Sequence, residues 1–167
     1  VGNENDVRLQ ASLAGGGVKD VGCYCINIMR FLTDEEPVQA RVLARFGAET
    51  GVDEALIGIL SFPSGVLGHF DCGLRQYRED SYEIRGTKGR IVVPHAFAIP
   101  VDGDVTFHWY NEEGKSNITI YASDHYTLMV EDFADALLHN RPPRFHPQDG
   151  LENMRVIDAL LESARNL

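Results

Sequence analysis

"GGGVKDVGCYCINIMRFLTDEEP", residues 15–37, decides the fold. Three glycines that run into a helix-like segment have two readings. They are the phosphate loop of a doubly wound nucleotide-binding fold, or plain backbone turning tightly into a helix. A dinucleotide loop needs G-x-G-x-x-G between a strand and a helix. Gly15 and Gly17 supply the first two glycines, but Asp20 stands at the third, where a carboxylate would repel a pyrophosphate. The P-loop signature, G-x-x-x-x-G-K followed by Ser or Thr, does not occur, and "GTKG" (86–89) falls in a predicted hairpin. The glycines are therefore read as a turn.

Outward from that stretch, Val21, Cys25, Ile28, Met29 and Leu32 form one apolar stripe at helical period, which predicts a helix over 20–32 ended by "TDEEP". Strand patterns follow at "VQARVLARF" (38–46), "EALIGILSF" (54–62) and "VLGHFDCGL" (66–74), the last two joined by Pro63-Ser64-Gly65. "SYEIRG" and "RIVVP" flank a second hairpin at Thr87-Lys88-Gly89, and "DVTFHWY" and "NITIYA" flank a third at "NEEGKS". A helix then runs from Ser123 or Asp124 to about Asn140, with Leu128, Phe133, Ala136 and Leu137 expected inward, closed by Pro142-Pro143. A last helix over 148–165 is expected to bury Leu151, Met154, Ile157, Leu160 and Leu161. Strands that do not alternate with helices give an α+β fold: an open, largely antiparallel β-sheet with helices packed on one face. Residues 1–167 read as a single domain with no Rossmann domain in it.

The formal net charge is −10, from 25 acidic and 15 basic residues, which excludes a cationic face for nucleic acid. No apolar run reaches the length of a membrane span, and no signal peptide is visible. The three cysteines, Cys23, Cys25 and Cys72, are read as reduced, small apolar groups, which gives a cytoplasmic location as the default. The six histidines are scattered without metal-ligand spacing, so no metal is expected.

Chemistry is expected on the other side of the first helix. Asp20, Tyr24 and Asn27 fall at i, i+4 and i+7, opposite the apolar stripe. A phenol between a carboxylate and a carboxamide suits a hydroxyl or carbonyl oxygen that must gain or lose a proton. The plainer alternative makes Asp20 a helix cap and Tyr24 packing; it accounts for the acid but not for the two groups in line with it. Arg8, just before the glycines, either reaches a ligand or is a solvated arginine. Asp124 reads as the cap of the helix that His125 and Tyr126 begin, and His69 and Asp71 share one strand face. Phe107 and Trp109 are read as core and interface.

These residues carry a resemblance. "GGGVKDVGCYCINIMRFLTDEEP", "FDCGLRQYREDSYEIRGTKGRIVVPHAF" (70–97), "HYTLMVEDFADAL" (125–137) and "GLENMRVIDALLESAR" (150–165) resemble, in order, the C-terminal domain of the glucose–fructose oxidoreductase / inositol dehydrogenase (Gfo/Idh/MocA) family. They are most similar to the branch of glucose–fructose oxidoreductase, dihydrodiol dehydrogenase and xylose dehydrogenase. The family pattern D-x-G-x-[HY]-x-x-[DN] is met by Asp20, Gly22, Tyr24 and Asn27. The resemblance implies that Tyr24 is the acid/base, assisted by Asp20. It implies that Asp20 and Asn27 hold hydroxyls of a small sugar, polyol or trans-dihydrodiol, and that His125 and Tyr126 begin a helix facing the cofactor cleft; Arg8, from its place before the glycines, is a further substrate-binding candidate. It implies NAD or NADP as cofactor, bound mainly by an N-terminal Rossmann domain that these 167 residues lack. The chain is then the substrate-side half of an oxidoreductase, expected to be inactive alone. Lys19 stands where the family more commonly has an apolar residue.

A homodimer, or a dimer of dimers, through the sheet face is also expected. "EALIGILSF" alternates Ala55, Ile57 and Ile59 with Leu56, Leu60 and Phe62, and a strand apolar on both sides is one covered on both. The alternative to an enzyme is a non-catalytic oligomerisation or sugar-binding module of the same descent.

Overall fold

The computed structural model describes residues 3, 5–97 and 99–165. The chain divides into two compact units, Val1–Tyr77 with Pro147–Leu167, and Arg78–His146. Both are built from helices and antiparallel strands, the α+β class that the hairpin pattern predicts. The strands form two sheets instead of one: Leu74 to Ser81 carries no strand, so pairing restarts after it.

The first unit begins with two 3-10 turns, Val7–Leu9 and Ala11–Leu13. Next come a π-helical turn at Val18–Gly22 and helix α1, Cys23–Thr33. The π-turn is a departure from the uninterrupted helix expected from residue 20. Asp34, left-handed at φ 54°, ends α1 three residues before Pro37. Strands β1 (Gln39–Phe46), β2 (Asp53–Ser61) and β3 (Leu67–Gly73) then form an antiparallel meander in the order β1-β2-β3. Helix α3, Pro147–Arg165, completes this unit from the far end of the chain.

The alternation in β2 sorts as its sequence requires. Leu56 and Leu60 are buried with Phe62, while Ile57 and Ile59 stand on the outer face, 58% and 54% exposed. The inner face meets Val18, Ile26, Val42, Phe70 and Cys72 with Val156, Ile157 and Leu160 of α3 in one core. Burying a Leu or Ile fully contributes about 1.5–3 kcal/mol, so this cluster dominates the unit's stability. The stripe of α1 is rotated from the expected one. Ile26 and Arg30 are buried, Val21, Cys25 and Met29 pack at the margin, and Leu32 is exposed. On α3, Ile157 and Leu160 are buried as expected. Leu151 and Met154 are exposed instead, and Val156 and Asn153 take the inner positions.

In the second unit, β4 (Tyr82–Gly86), β5 (Gly89–Val93), β6 (Val105–Asn111) and β7 (Gly114–Ile120) pair antiparallel in sequence order. The β6–β7 loop is tighter than the six residues expected: Asn111 pairs with Gly114, and only Glu112 and Glu113 turn. Trp109 is 42% exposed, not a core residue. Helix α2, His125–Leu138, buries Ala136, but Leu128, Phe133 and Leu137, expected inward, are exposed. No helix among the described residues is long and apolar enough to cross a membrane.

Candidate functional site

The glycine segment is filled by protein. The side chain of Asp53, at the start of β2, is 3% exposed and accepts a hydrogen bond from the backbone N–H of Val18. Burial pushes its carboxyl up from the ordinary range, and the N–H groups of Val18 and Gly17 pull it back. Gly16 sits at φ 129°, and a Cβ there would run into Oδ1 of Asp53. A Cβ on Gly15 would stand 2.5 Å from the carbonyl oxygen of Arg8. Glycine is thus required here for the approach of protein groups, and the donors a pyrophosphate would need are already taken. The phosphates of a dinucleotide do not fit this segment.

From that anchored start the chain carries Asp20 on the π-turn and Tyr24 and Asn27 on α1. All three are at least partly open to solvent, with Tyr24 at 55% exposure. A π-turn inside a helix is a frequent companion of functional sites. Arg8 comes next to them: its Nη1 is 3.8 Å from Oδ2 of Asp20, and its Nε is 3.2 Å from Asp6. Arg8 and Asp20 are thus neighbours, and Tyr24 and Asn27 follow on the helix that continues from Asp20 in the first unit. The exposed phenol of Tyr24 can exchange a proton with a hydroxyl, and polar side chains on the same helical segment can hold that hydroxyl.

Sequence reasoning missed the support beneath these groups. Arg30 has a side chain only 5% exposed. Its Nε and Nη2 bond Glu36 at 2.8 and 2.6 Å, and its Nη1 lies 3.0 Å from Oδ1 of Asp149. The Glu36 hydrogen bonds, outweighing burial, hold the guanidinium above its ordinary range. Asn153 accepts from Arg30 at 3.3 Å and donates to the Cys23 carbonyl at 3.1 Å. Asn27 in turn donates to Asp149 at 3.2 Å. An arginine inside an apolar helix was the available signal, since an unpaired charge is not buried.

His125 and Tyr126 belong to the second unit, at the N-terminus of α2. Asp124 caps that helix, accepting from the N–H groups of Tyr126 and Thr127 at 3.0 and 3.1 Å. The rings of His125 and Tyr126 lie 4.1 Å apart, and Nδ1 of His125 is buried without a hydrogen-bond partner among the described residues. His69 and Asp71 lie on the outer face of β3, opposite Ile59 and Ile57 of β2. All three cysteines are free. Burial pushes the thiol of Cys25 up to about 11 and that of Cys72 higher still, which makes them poor nucleophiles. Among the described residues no group of three or more His, Cys, Asp or Glu is placed to hold a metal ion.

Known proteins resemble this chain along nearly its whole length. The chain is 30% identical over 161 residues to a D-xylose 1-dehydrogenase (NADP(+)) of Haloferax volcanii, covering 96% of this chain and 49% of that protein. It is 35% identical over 77 residues to the trans-1,2-dihydrobenzene-1,2-diol dehydrogenase of Bos taurus, covering 46% of this chain and 23% of that one. Among solved structures, an aldose-aldose oxidoreductase from Caulobacter crescentus, complexed with glycerol, superposes with a TM-score of 0.89 at 25% identity, over 99% of this chain and 50% of its own. A 3-ketoreductase from Actinomadura kijaniata, in complex with NADP and TDP-benzene, superposes with a TM-score of 0.86 at 25% identity, over 96% and 49%. The chain spans about half the length of the curated relatives that cover it nearly end to end. Residues 2–92 match the GFO/IDH/MocA C-terminal domain model, and the chain belongs to that family.

Proposed function

We propose that this chain is the substrate-side half of an NAD(P)-dependent oxidoreductase that acts on a hydroxyl or carbonyl of a sugar, polyol or trans-dihydrodiol. The observation that carries the reading is the exposed Tyr24 on α1, preceded by Asp20 in an ion pair with Arg8 and followed by Asn27 hydrogen-bonded to Asp149. Tyr24 takes the hydroxyl proton at its Oη during oxidation and returns it during reduction. Asp20, paired with Arg8, sets the charge beside it, and Asn27 hydrogen-bonds the substrate. His125 and Tyr126 are read as further substrate-binding residues, and the two units as one functional domain. The nicotinamide, when bound, accepts or supplies the hydride at the substrate carbon. Its pyrophosphate is held elsewhere than at Gly15–Gly17, so the 167-residue chain alone is expected to be inactive.

The test is nicotinamide reduction by the full-length protein with NADP⁺ or NAD⁺ and D-xylose or trans-1,2-dihydrobenzene-1,2-diol. Turnover by the full-length protein and none by the 167-residue chain is the expected pair of results. Binding of these compounds without turnover would favour the alternative, a sugar-binding module.

The same reading includes a homodimer built on the outer face of β1–β3. Leu43, Ile57 and Ile59 form its exposed apolar centre, with Arg41 and Arg45 on the β1 side and His69 and Asp71 on the β3 side. A two-fold axis through β2 sets the arginines of one copy against the Asp71 edge of the other, which supports an isologous contact. A reducing cytoplasmic location is supported by the three unbridged cysteines.

A further inference from the structure

Among the described residues, the side chain of Asn27 is held by one hydrogen bond. Its Nδ2 donates to Oδ2 of Asp149 at 3.2 Å. The other oxygen of Asp149 faces Nη1 of Arg30 at 3.0 Å, and the backbone carbonyl of Asp149 takes a further bond from the same nitrogen at 3.3 Å. Arg30 cannot move to follow a change, because it is buried and clamped by both oxygens of Glu36 and by Asn153. A carboxylate accepts and does not donate, and a guanidinium donates and does not accept. The atom of Asn27 that meets Asp149 must therefore be the amide nitrogen. That choice turns Oδ1 to the opposite side of Cγ.

We propose that Asp149, fixed by the buried Arg30, is a positioning residue that sets the hydrogen-bond polarity of Asn27. The site then presents an acceptor at this point and selects a ligand hydroxyl that donates to it. The inference rests on the reading that the Tyr24 face receives a hydroxylated substrate. It adds which atom of Asn27 does the reading and what fixes it. A site built to accept from a hydroxyl discriminates strongly against a ligand that cannot donate there, since its own polar atom is left unpaired.

A reciprocal exchange tests this in the full-length protein. In Asp149→Asn, residue 149 keeps a carbonyl oxygen for Arg30 and turns an NH₂ towards residue 27. Asn27 then flips and offers NH₂ where it had offered oxygen. In Asn27→Asp, two carboxylates face each other. In the double variant the donor and acceptor are simply exchanged, and residue 27 again has an oxygen for the substrate. With D-xylose and NADP⁺ as probes, each single variant should raise KM for D-xylose about tenfold while KM for NADP⁺ changes by less than about twofold. The double variant should return KM for D-xylose to within about threefold of the starting value. A purely structural role for Asp149 predicts no such recovery, and a double variant no better than the poorer single one overturns the proposal. The second readout needs no turnover: hydrogen exchange of the ¹⁵N-labelled Asn27 side-chain amide. It should be slow in the unmodified protein and fast in Asp149→Asn, and equal exchange in both would also overturn the proposal. Should the unmodified enzyme leave D-xylose untouched, that counts against the functional reading alone, and the amide exchange still decides the polarity.

Discussion

Oδ2 of Asp53 lies 2.6 Å from the backbone nitrogen of Val18, 35 residues earlier in the chain. A carboxylate at the start of a strand thereby caps the turn that leads into α1, and fixes the candidate site to the sheet. The folded-state pKa of Asp53 is raised above 3.8, chiefly by burial. A carboxyl raised on folding binds its proton more tightly in the native state. Its contribution is therefore full below the unfolded value and is lost as pH rises through the folded one. Asp53→Asn should remove that loss, so its stability relative to the unmodified protein should improve from about pH 4 upward. Urea unfolding of both proteins across that range checks it; a difference that does not change with pH contradicts it.

Tyr24→Phe in the full-length enzyme should lower kcat about 10²–10⁴-fold and leave KM for the nicotinamide cofactor nearly unchanged. The ring still occupies its place, and only the proton-carrying oxygen is gone. Steady-state kinetics decides, and near-normal kcat would place the acid elsewhere.

On α3, Leu160 and Leu151 give opposite expectations although both are apolar. Leu160 is 1% exposed in the core and Leu151 is 48% exposed. Leu160→Ala should cost about 2–5 kcal/mol by loss of contacts and a residual cavity. Leu151→Ala should stay within about 0.5 kcal/mol. Denaturant titration of the 167-residue chain measures both.

Ile57→Lys places a charge at the centre of the outer sheet face without touching the core. The dimer proposed on that face should dissociate while the fold persists, as read by sedimentation velocity and circular dichroism. An unchanged dimer would move the interface to another surface.

The thiols should resist alkylation in the native state. With Cys25 pushed up to about 11 and Cys72 further, little thiolate exists near pH 8. Labelling by iodoacetamide should be slow until denaturant is added, when three sites should react.

The sequence carried the order of the elements and the helical setting of Asp20, Tyr24 and Asn27, because both depend on local period and turn chemistry. It did not carry what depends on distant partners. Nothing near Val18 announces Asp53, and nothing near Asn27 announces Asp149. Arg30 lies in a predicted helix whose apolar stripe runs through its neighbours, and apolar spacing does not disclose its burial. The π-turn was equally hidden, since five residues are too few to tell a wider turn from an ordinary one by apolar spacing. Phe133 and Leu137 have the i, i+4 spacing of an inward face, yet spacing cannot say whether a surface exists to receive it.

The wide turn at Val18–Gly22 also bears on changes in chain length. Each residue of an α-helix advances the direction of its side chains by about 100°. The wide turn, closed by i→i+5 bonds, takes in one residue more than an α-helical turn for nearly the same rotation of the chain. Deleting one residue between Gly17 and Cys23 would therefore close it to ordinary helix with the segments on either side barely rotated, whereas deleting one residue of α1 would swing everything before it by about 100°. A single deletion should accordingly be tolerated better in this segment than within α1.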